Sequence, residues 1–355
     1  MMENELGSSG GGINMAIGRL AVAALSALAL TAQAASAQQT NLIFNSFVQP
    51  KHPLNTLVLN PWAADVEKAT QGRVKITIPP TTAAPPPQVM DATQKGIVDG
   101  GYVFNGFVAN QIKLVQLAHL PWGNGPTEAM NIALWRTHQK FFAKAGEYKN
   151  VELVGLFTLP QGEIYSMKGP LTSVKDFAGI KVWALPGTAA RVMEALKAGV
   201  VATPAVRSHE TISAGTVDAF AGTSLSDNRA FNTLQYAKSI TQLPGGLNSP
   251  SFSMFFNKAK WAALKPEDRE AITKLAGEHF ARRFAAIDKN EREVIAEAAD
   301  KMKIQLIKAS PEFVADLKKA TKFLEDEWIG EAKKLGVDGE AALKFYRDTV
   351  AAGGK

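Results

Sequence analysis

Two textures of apolar and polar positions follow one another along the chain. From Gln38 to about Ser253, short apolar runs alternate with segments of helical spacing, the pattern of an α/β protein. Residues 41–46 read as a first strand, and residues 61–70 as a helix that exits through Gly72. Val74, Ile76 and Ile78 alternate with Lys75 and Thr77, predicting a second strand that stops at Pro79-Pro80. The stretch PPTTAAPPP that follows fixes φ and removes backbone donors, so it predicts a rigid loop. A helix near residues 88–95 and a buried strand around 97–104 come next. Further strands are predicted at 151–157, 164–167, 180–183, 217–220 and 253–256, with helices at 188–197 and 209–214. Ser173 with Asp176 makes a capping box for one short turn.

From Pro266 the pattern turns helical, with Glu267 and Asp268 behind the proline as a helix start. Ile272, Leu275, Phe280, Phe284, Ile287, Ile295, Ala298 and Met302 then mark one face. A single helix of that extent would span on the order of 50 Å, enough to lie across two bodies. Ser310-Pro311-Glu312 starts another helix, and residues 339–351 close the chain.

The N-terminus carries a different message. Arg19 precedes the apolar run LAVAALSALAL, and Ala35-Ser36-Ala37 follows it, the arrangement of a secretory signal peptide cut after Ala37. Such a run is too short to cross a ~30 Å hydrocarbon core, so cleavage is the better reading than a retained anchor. Met15 is an alternative start. Residues 1–37 are thus expected to be an address, and the mature protein to be exported and soluble.

Composition narrows the chemistry. The chain has 355 residues and no cysteine, which excludes disulfides, thiolate nucleophiles and Cys-ligated zinc. The formal charge of +6 becomes +7 once Arg19, Glu3 and Glu5 leave with the signal, a mild excess that reads as surface background. His209-Glu210 resembles the start of HExxH, but Ser213 stands where a second zinc ligand is needed. No GxSxG elbow, P-loop or GxGxxG fingerprint occurs. The histidines at 52, 119, 138, 209 and 279 are scattered without metal-ligand spacing and read as surface or packed side chains. Arg282-Arg283 and Lys318-Lys319 lie among acidic residues, which describes solvated helix faces and no nucleic-acid track. No cofactor is implied.

A series of short motifs is more informative than any one of them. Thr70-Gln71-Gly72-Arg73-Val74, Gly96-Ile97-Val98-Asp99, Leu120-Pro121 and Lys168-Gly169-Pro170 occur in order. Asp176-Phe177-Ala178-Gly179-Ile180-Lys181-Val182, Thr203-Pro204 and Gly215-Thr216-Val217-Asp218 follow. The chain resembles, over essentially all of its mature length, the DctP-type solute-binding proteins of tripartite ATP-independent periplasmic (TRAP) transporters. That resemblance implies a two-lobe α/β periplasmic binding protein fold with crossing strands and a long lobe-spanning helix. Residues 38–160 and 250–285 would form lobe I, and residues 161–249 and 286–355 lobe II. It also implies a non-enzymatic, monomeric receptor that closes on a small organic solute. The receptor would hand it to a small and a large membrane subunit driven by an ion gradient. An ABC-type binding protein and a secreted two-lobe hydrolase are the alternatives; a cluster of perturbed titratable groups in the cleft would favour the hydrolase.

Departures from the family pattern fall on the ligand anchors. The arginine that usually holds a substrate carboxylate in a K-I-R-V-P strand is replaced by Trp183, and a second arginine position falls on Gly162, between Gln161 and Glu163. The asparagine of a D-G-Q-E-N-P stretch falls on Gly222, beside Thr223 and Ser224. Indole cannot replace a bidentate Arg–carboxylate pair. Trp183 then either walls the cleft for a flat or cationic ligand with Glu163 as counter-charge, or belongs to the core while Glu163 faces water. Arg207, and less readily Arg191, either restores a carboxylate partner or sits in solvent. By the family's pattern the loops after two strands contribute Ser46, Phe47, Phe104 and Asn105, and Trp122 is the weakest aromatic candidate.

Overall fold

The computed structural model describes residues 39–355; the signal peptide and its cleavage site lie outside the described residues. Eleven strands form among the described residues: β1 (Thr40–Asn45), β2 (Val74–Thr77), β3 (Gly100–Phe104), β4 (Val151–Thr158), β5 (Ile164–Ser166), β6 (Lys181–Ala184), β7 (Gly199–Ala202), β8 (Ala219–Ala221), β9 (Ser239–Gln242), β10 (Ser251–Asn257) and β11 (Gln305–Lys308). They make two sheets, ordered β2-β1-β3-β10-β4 and β11-β9-β5-β8-β6-β7. Within the first, β1 and β3 are parallel while β10 runs antiparallel to both β3 and β4. Within the second, β6 is parallel to β7 and β8, and β5 is antiparallel to β8 and β9. Each sheet is the centre of one lobe of an α/β fold.

The chain leaves the first sheet after β4 and returns to it at β10, and these two connections cross side by side. Leu159 N–H donates to the Pro250 carbonyl at 3.1 Å, Gly162 N–H to Asn248 at 2.7 Å, and Leu247 N–H to Gly162 at 2.9 Å. The backbones touch there because glycine permits it. A Cβ on Gly162 would lie 2.5 Å from the carbonyl carbon of Gly222 and 2.7 Å from Asn248 Oδ1. Gly222 itself holds φ +92, and a Cβ on it would lie 2.4 Å from that of Ala189. A side chain at either position has nowhere to go.

Most strands fall where the apolar runs predict them. β7, β9 and β11 are unanticipated; β7 is a largely exposed edge strand, and β11 lies in a region of helical texture. The single long helix expected after Pro266 is corrected to three: Pro266–Lys274, Gly277–Arg282 and Ala285–Asp300. Ala276 is extended, and Gly277 takes φ +55 against the Trp135 ring, where a Cβ would be 2.5 Å from the indole. The apolar face continues through the breaks, which is why its spacing concealed them. Helices do bridge the two lobes. Ala285–Asp300 packs on Thr127–Thr137 and the Leu54–Leu59 turn on one side and on Leu225–Ala230 on the other. Pro311–Lys334, at 24 residues the longest helix described and ~36 Å in extent, packs on Leu114–His119 and on Thr188–Ala195.

The crossing makes a direct prediction. Gly162→Ala should cost about 1–3 kcal/mol through overpacking, read as a lower urea midpoint. Gly169→Ala, at a position with open space around it, should stay within about 0.5 kcal/mol of the parent. Equal midpoints for the two variants would refute the close backbone approach.

Candidate functional site

A narrow, mostly apolar cavity lined from both lobes opens where the two sheets face each other, a concave setting of the kind that holds small molecules. Strand ends supply most of its wall. Phe47 follows β1, Phe104 ends β3 and Phe107 lies just beyond it; Leu185 follows β6, Pro204, Ala205 and Val206 follow β7, and Thr223 follows β8. This is the position at which open α/β sheets hold ligands, beyond the carboxyl ends of their strands. Tyr102 and Phe252 enter from neighbouring registers of β3 and β10, and Asp227 and Phe231 from the helix Leu225–Ala230 and its end.

The wall is aromatic and braced. Phe47 and Tyr102 have ring centroids 4.6 Å apart, Phe104 and Phe252 5.6 Å, and Phe104 meets Phe107 edge-on at 5.1 Å. Phe104 also stacks on His119 at 5.2 Å, and Ser251 N–H donates to that histidine's Nε2 at 3.0 Å. Burial pushes His119 down to about 4, so the ring behind Phe104 is neutral at neutral pH. Ser46 Oγ donates to Asn55 and lies 3.1 Å from the Tyr102 hydroxyl, whose pKa burial raises. Asn105 bonds Ser251 and Ser253. Ser46 and Asn105 are thus buried supports behind the wall.

Few polar atoms line the cavity. His52 Nε2 stands 3.3 Å from Asp227 Oδ1, an ion-pair distance, yet the angle is not that of a hydrogen bond. Leu54 N–H donates to His52 Nδ1 at 3.2 Å, which assigns the neutral ring's hydrogen to Nε2. Thr223 Oγ1 accepts from Asn228 at 3.0 Å. Ser224 caps the Leu225–Ala230 helix by accepting from Asp227 N–H at 3.1 Å. Glu291, from Ala285–Asp300, accepts from Leu225 N–H and Ser226 N–H at 2.9 Å each. Burial pushes Glu291 up to about 7 despite those bonds.

Of the residues singled out in the sequence, the structure brings Phe47, Phe104 and Thr223 together at the cavity. Trp183 is corrected: it is fully buried in β6 between β7 and β8, and its Nε1 donates to Thr203 at 2.8 Å. It is a core residue because a central strand faces its indole into the lobe. Glu163 neither faces water nor lines the cavity. It sits in the crossing, accepts from Leu243 N–H at 3.0 Å and from Gln161 at 2.8 Å, and burial pushes it up to about 8. Gln161 is therefore engaged at the crossing too, and Gly222 packs behind Leu185. Arg207 is exposed and paired with Glu210 at 3.1 Å, and Arg191 pairs with Glu327 at 2.7 Å. Trp122 lies apart, under Lys318. No arginine or lysine lines the cavity among the described residues. Sequence reasoning missed Tyr102, Phe231 and Phe252, and it took His52 for a surface or packed side chain. The alternation of β3 placed Tyr102 two positions before Phe104, but choosing between faces requires the sheet.

Comparisons with known proteins agree with this architecture. The family model for bacterial extracellular solute-binding protein, family 7, matches residues 44–331. "Outer membrane transporter protein TsaT" of Comamonas testosteroni is 40% identical over 316 residues, covering 89% of this chain and 93% of that protein. A TRAP periplasmic solute-binding protein of Bordetella bronchiseptica, solved with (R)- and (S)-mandelate, superposes with TM-score 0.84 at 29% identity, covering 88% of this chain and 99% of that one. A marine-metagenome TRAP protein specific for aromatic acids, solved with 3-hydroxybenzoate, shares the fold at TM-score 0.81 and 24% identity, covering 89% of this chain and 99% of that one.

Glu163 and Glu291, whose pKa values burial raises most among the carboxylates, contribute a pH dependence. Both hold protons in the folded chain at a pH where unfolded carboxyls, near ~4.5, have lost them. Their contribution to stability is therefore full below ~4.5 and is lost as pH rises through 7 and 8. Melts between pH 5 and 8 should show Glu163→Gln with a shallower decline than the parent and a Tm a few degrees higher at pH 8. Coincident slopes would show that Glu163 ionises freely.

Proposed function

The chain belongs to the bacterial extracellular solute-binding proteins of family 7, and from that membership we propose that it closes on a single-ring aromatic acid and presents it to TRAP membrane subunits. The family is periplasmic, binds small organic acids and works with those subunits. The observation that carries the finer reading is the ring-lined cavity: Phe47, Tyr102, Phe104, Phe107 and Phe252 come from one lobe and Phe231 from the other. A flat ring entering it buries both faces, and aromatic contacts add about 0.5–1.5 kcal/mol beyond area burial. The mandelate-bound relative points to the same ligand class.

The arrangement also supports a receptor over a hydrolase. The carboxylates whose pKa burial raises, Glu147, Glu163 and Glu291, are committed to backbone N–H groups and do not line the cavity. Ligand contacts on both lobes favour the closed form, because only that form offers both walls at once. A second reading, an aromatic amine, is favoured by Asp227 on a wall that carries no arginine or lysine. Monomeric action, export by a cleaved signal peptide and the absence of catalysis belong to the same proposal.

A thermal-shift panel of the purified chain tests it. Ligand a hundredfold above its Kd adds ~2.7 kcal/mol to stability. Benzoate, phenylacetate or mandelate should raise Tm where succinate does not, and Phe104→Ala should weaken the best ligand about tenfold, a loss of ~1.4 kcal/mol. A shift with phenethylamine alone selects the second reading. A shift with succinate alone overturns both.

A further inference from the structure

Resting on the reading of this cavity as an aromatic-solute site, we propose that His52 and Asp227 together select solutes bearing a hydroxyl group. Both side chains are buried and lie on the wall, His52 from one lobe and Asp227 from the other. Their contact is unfinished. His52 Nδ1 already accepts from Leu54 N–H, so the Nε2 hydrogen needs an acceptor, and at 3.3 Å from Asp227 it has the distance and lacks the angle. Among the described residues no donor stands in hydrogen-bond geometry to the Asp227 carboxylate, because the N–H of Asp227 itself and those of Leu225 and Ser226 are taken by Ser224 and Glu291.

The donor and acceptor inventory decides what completes this pair. A ligand carboxylate would accept from Nε2 but face the Asp227 carboxylate, and the helix N–H groups that could offset the repulsion are spent on Glu291. An ammonium would satisfy Asp227 and leave the Nε2 hydrogen pointing at a cation. A hydroxyl does both, accepting from His52 and donating to Asp227, and it replaces one poorly aligned contact with two aligned ones. It also joins the lobes, so recognition of the hydroxyl and closure become one event. The rings of the wall hold the solute's aromatic body, and His52 is itself steadied by Phe231 at 5.2 Å. Selectivity of this kind is steep, since an analogue lacking the hydroxyl leaves buried polar groups unpaired.

Titration calorimetry of the intact chain with matched pairs tests the proposal. Mandelate differs from phenylacetate, and 3-hydroxybenzoate from benzoate, by one hydroxyl. In at least one pair the hydroxyl-bearing member should bind tenfold or more tightly, and in Asp227→Asn that preference should fall below threefold. Should Asp227→Asn fail to fold, His52→Phe carries the same expectation, because it removes the donor and keeps a ring. Preferences under threefold in both pairs overturn the hydroxyl rule while leaving the receptor reading intact, as does a preference that survives the substitutions. Binding of neither pair with heat from phenethylamine overturns the rule together with the aromatic-acid reading. No heat from any of these solutes overturns the aromatic site itself.

Discussion

Where the chain crosses between its two lobes, backbone lies against backbone, and the rest of the site depends on that contact. Gly162, Gly222 and Asn248 fill a space in which one added carbon would already be under 3 Å from its neighbours. The crossing leaves no room for a side chain at either glycine, so no polar ligand contact can come from these two positions. Electrostatics follow. With no cation at the crossing, Glu163 is buried against Leu243 N–H and Gln161 alone, and desolvation outweighs those bonds.

The same balance governs the other side of the cavity. Glu291 binds the Leu225–Ala230 helix to the lobe-bridging helix Ala285–Asp300 by accepting from its first two N–H groups. The two helices are thereby joined through a buried carboxylate. What remains for recognition is the aromatic wall and the one incomplete polar pair, His52 and Asp227. Affinity in such a site comes from ring burial, and discrimination from the few polar atoms that must be matched.

How much of this was legible in the sequence follows from the range of each signal. Alternation and short apolar runs are local signals, so β1, β2, β3 and β10 were readable, and so was the capping box at Ser173 and Asp176, which the structure contains. Phe47, Phe104 and Thr223 were singled out because strand ends face a cleft in this fold, and all three lie on the cavity wall. Trp183 misled because a residue replacing an anchor in sequence need not inherit its exposure: β6 is a central strand, and its indole turns inward. His52 and Asp227 are 175 positions apart, on opposite lobes, and no local pattern announces a contact of that range. The three-way break after Pro266 was hidden for the opposite reason. Its helices share one apolar face, so the periodicity survives where the backbone does not.

Closure is the step at which these features act together. The His52–Phe231 ring contact and the His52–Asp227 approach join the lobes directly. They therefore contribute to closing whatever is bound, and a solute controls the equilibrium only by what it adds to both lobes at once. A bare ring adds apolar contact, which rewards any flat solute of suitable size. A group that completes the His52–Asp227 pair adds directional bonds to each lobe, and those are lost together when the geometry is wrong. The unfinished pair is thus where this fold can turn general aromatic affinity into a choice between solutes.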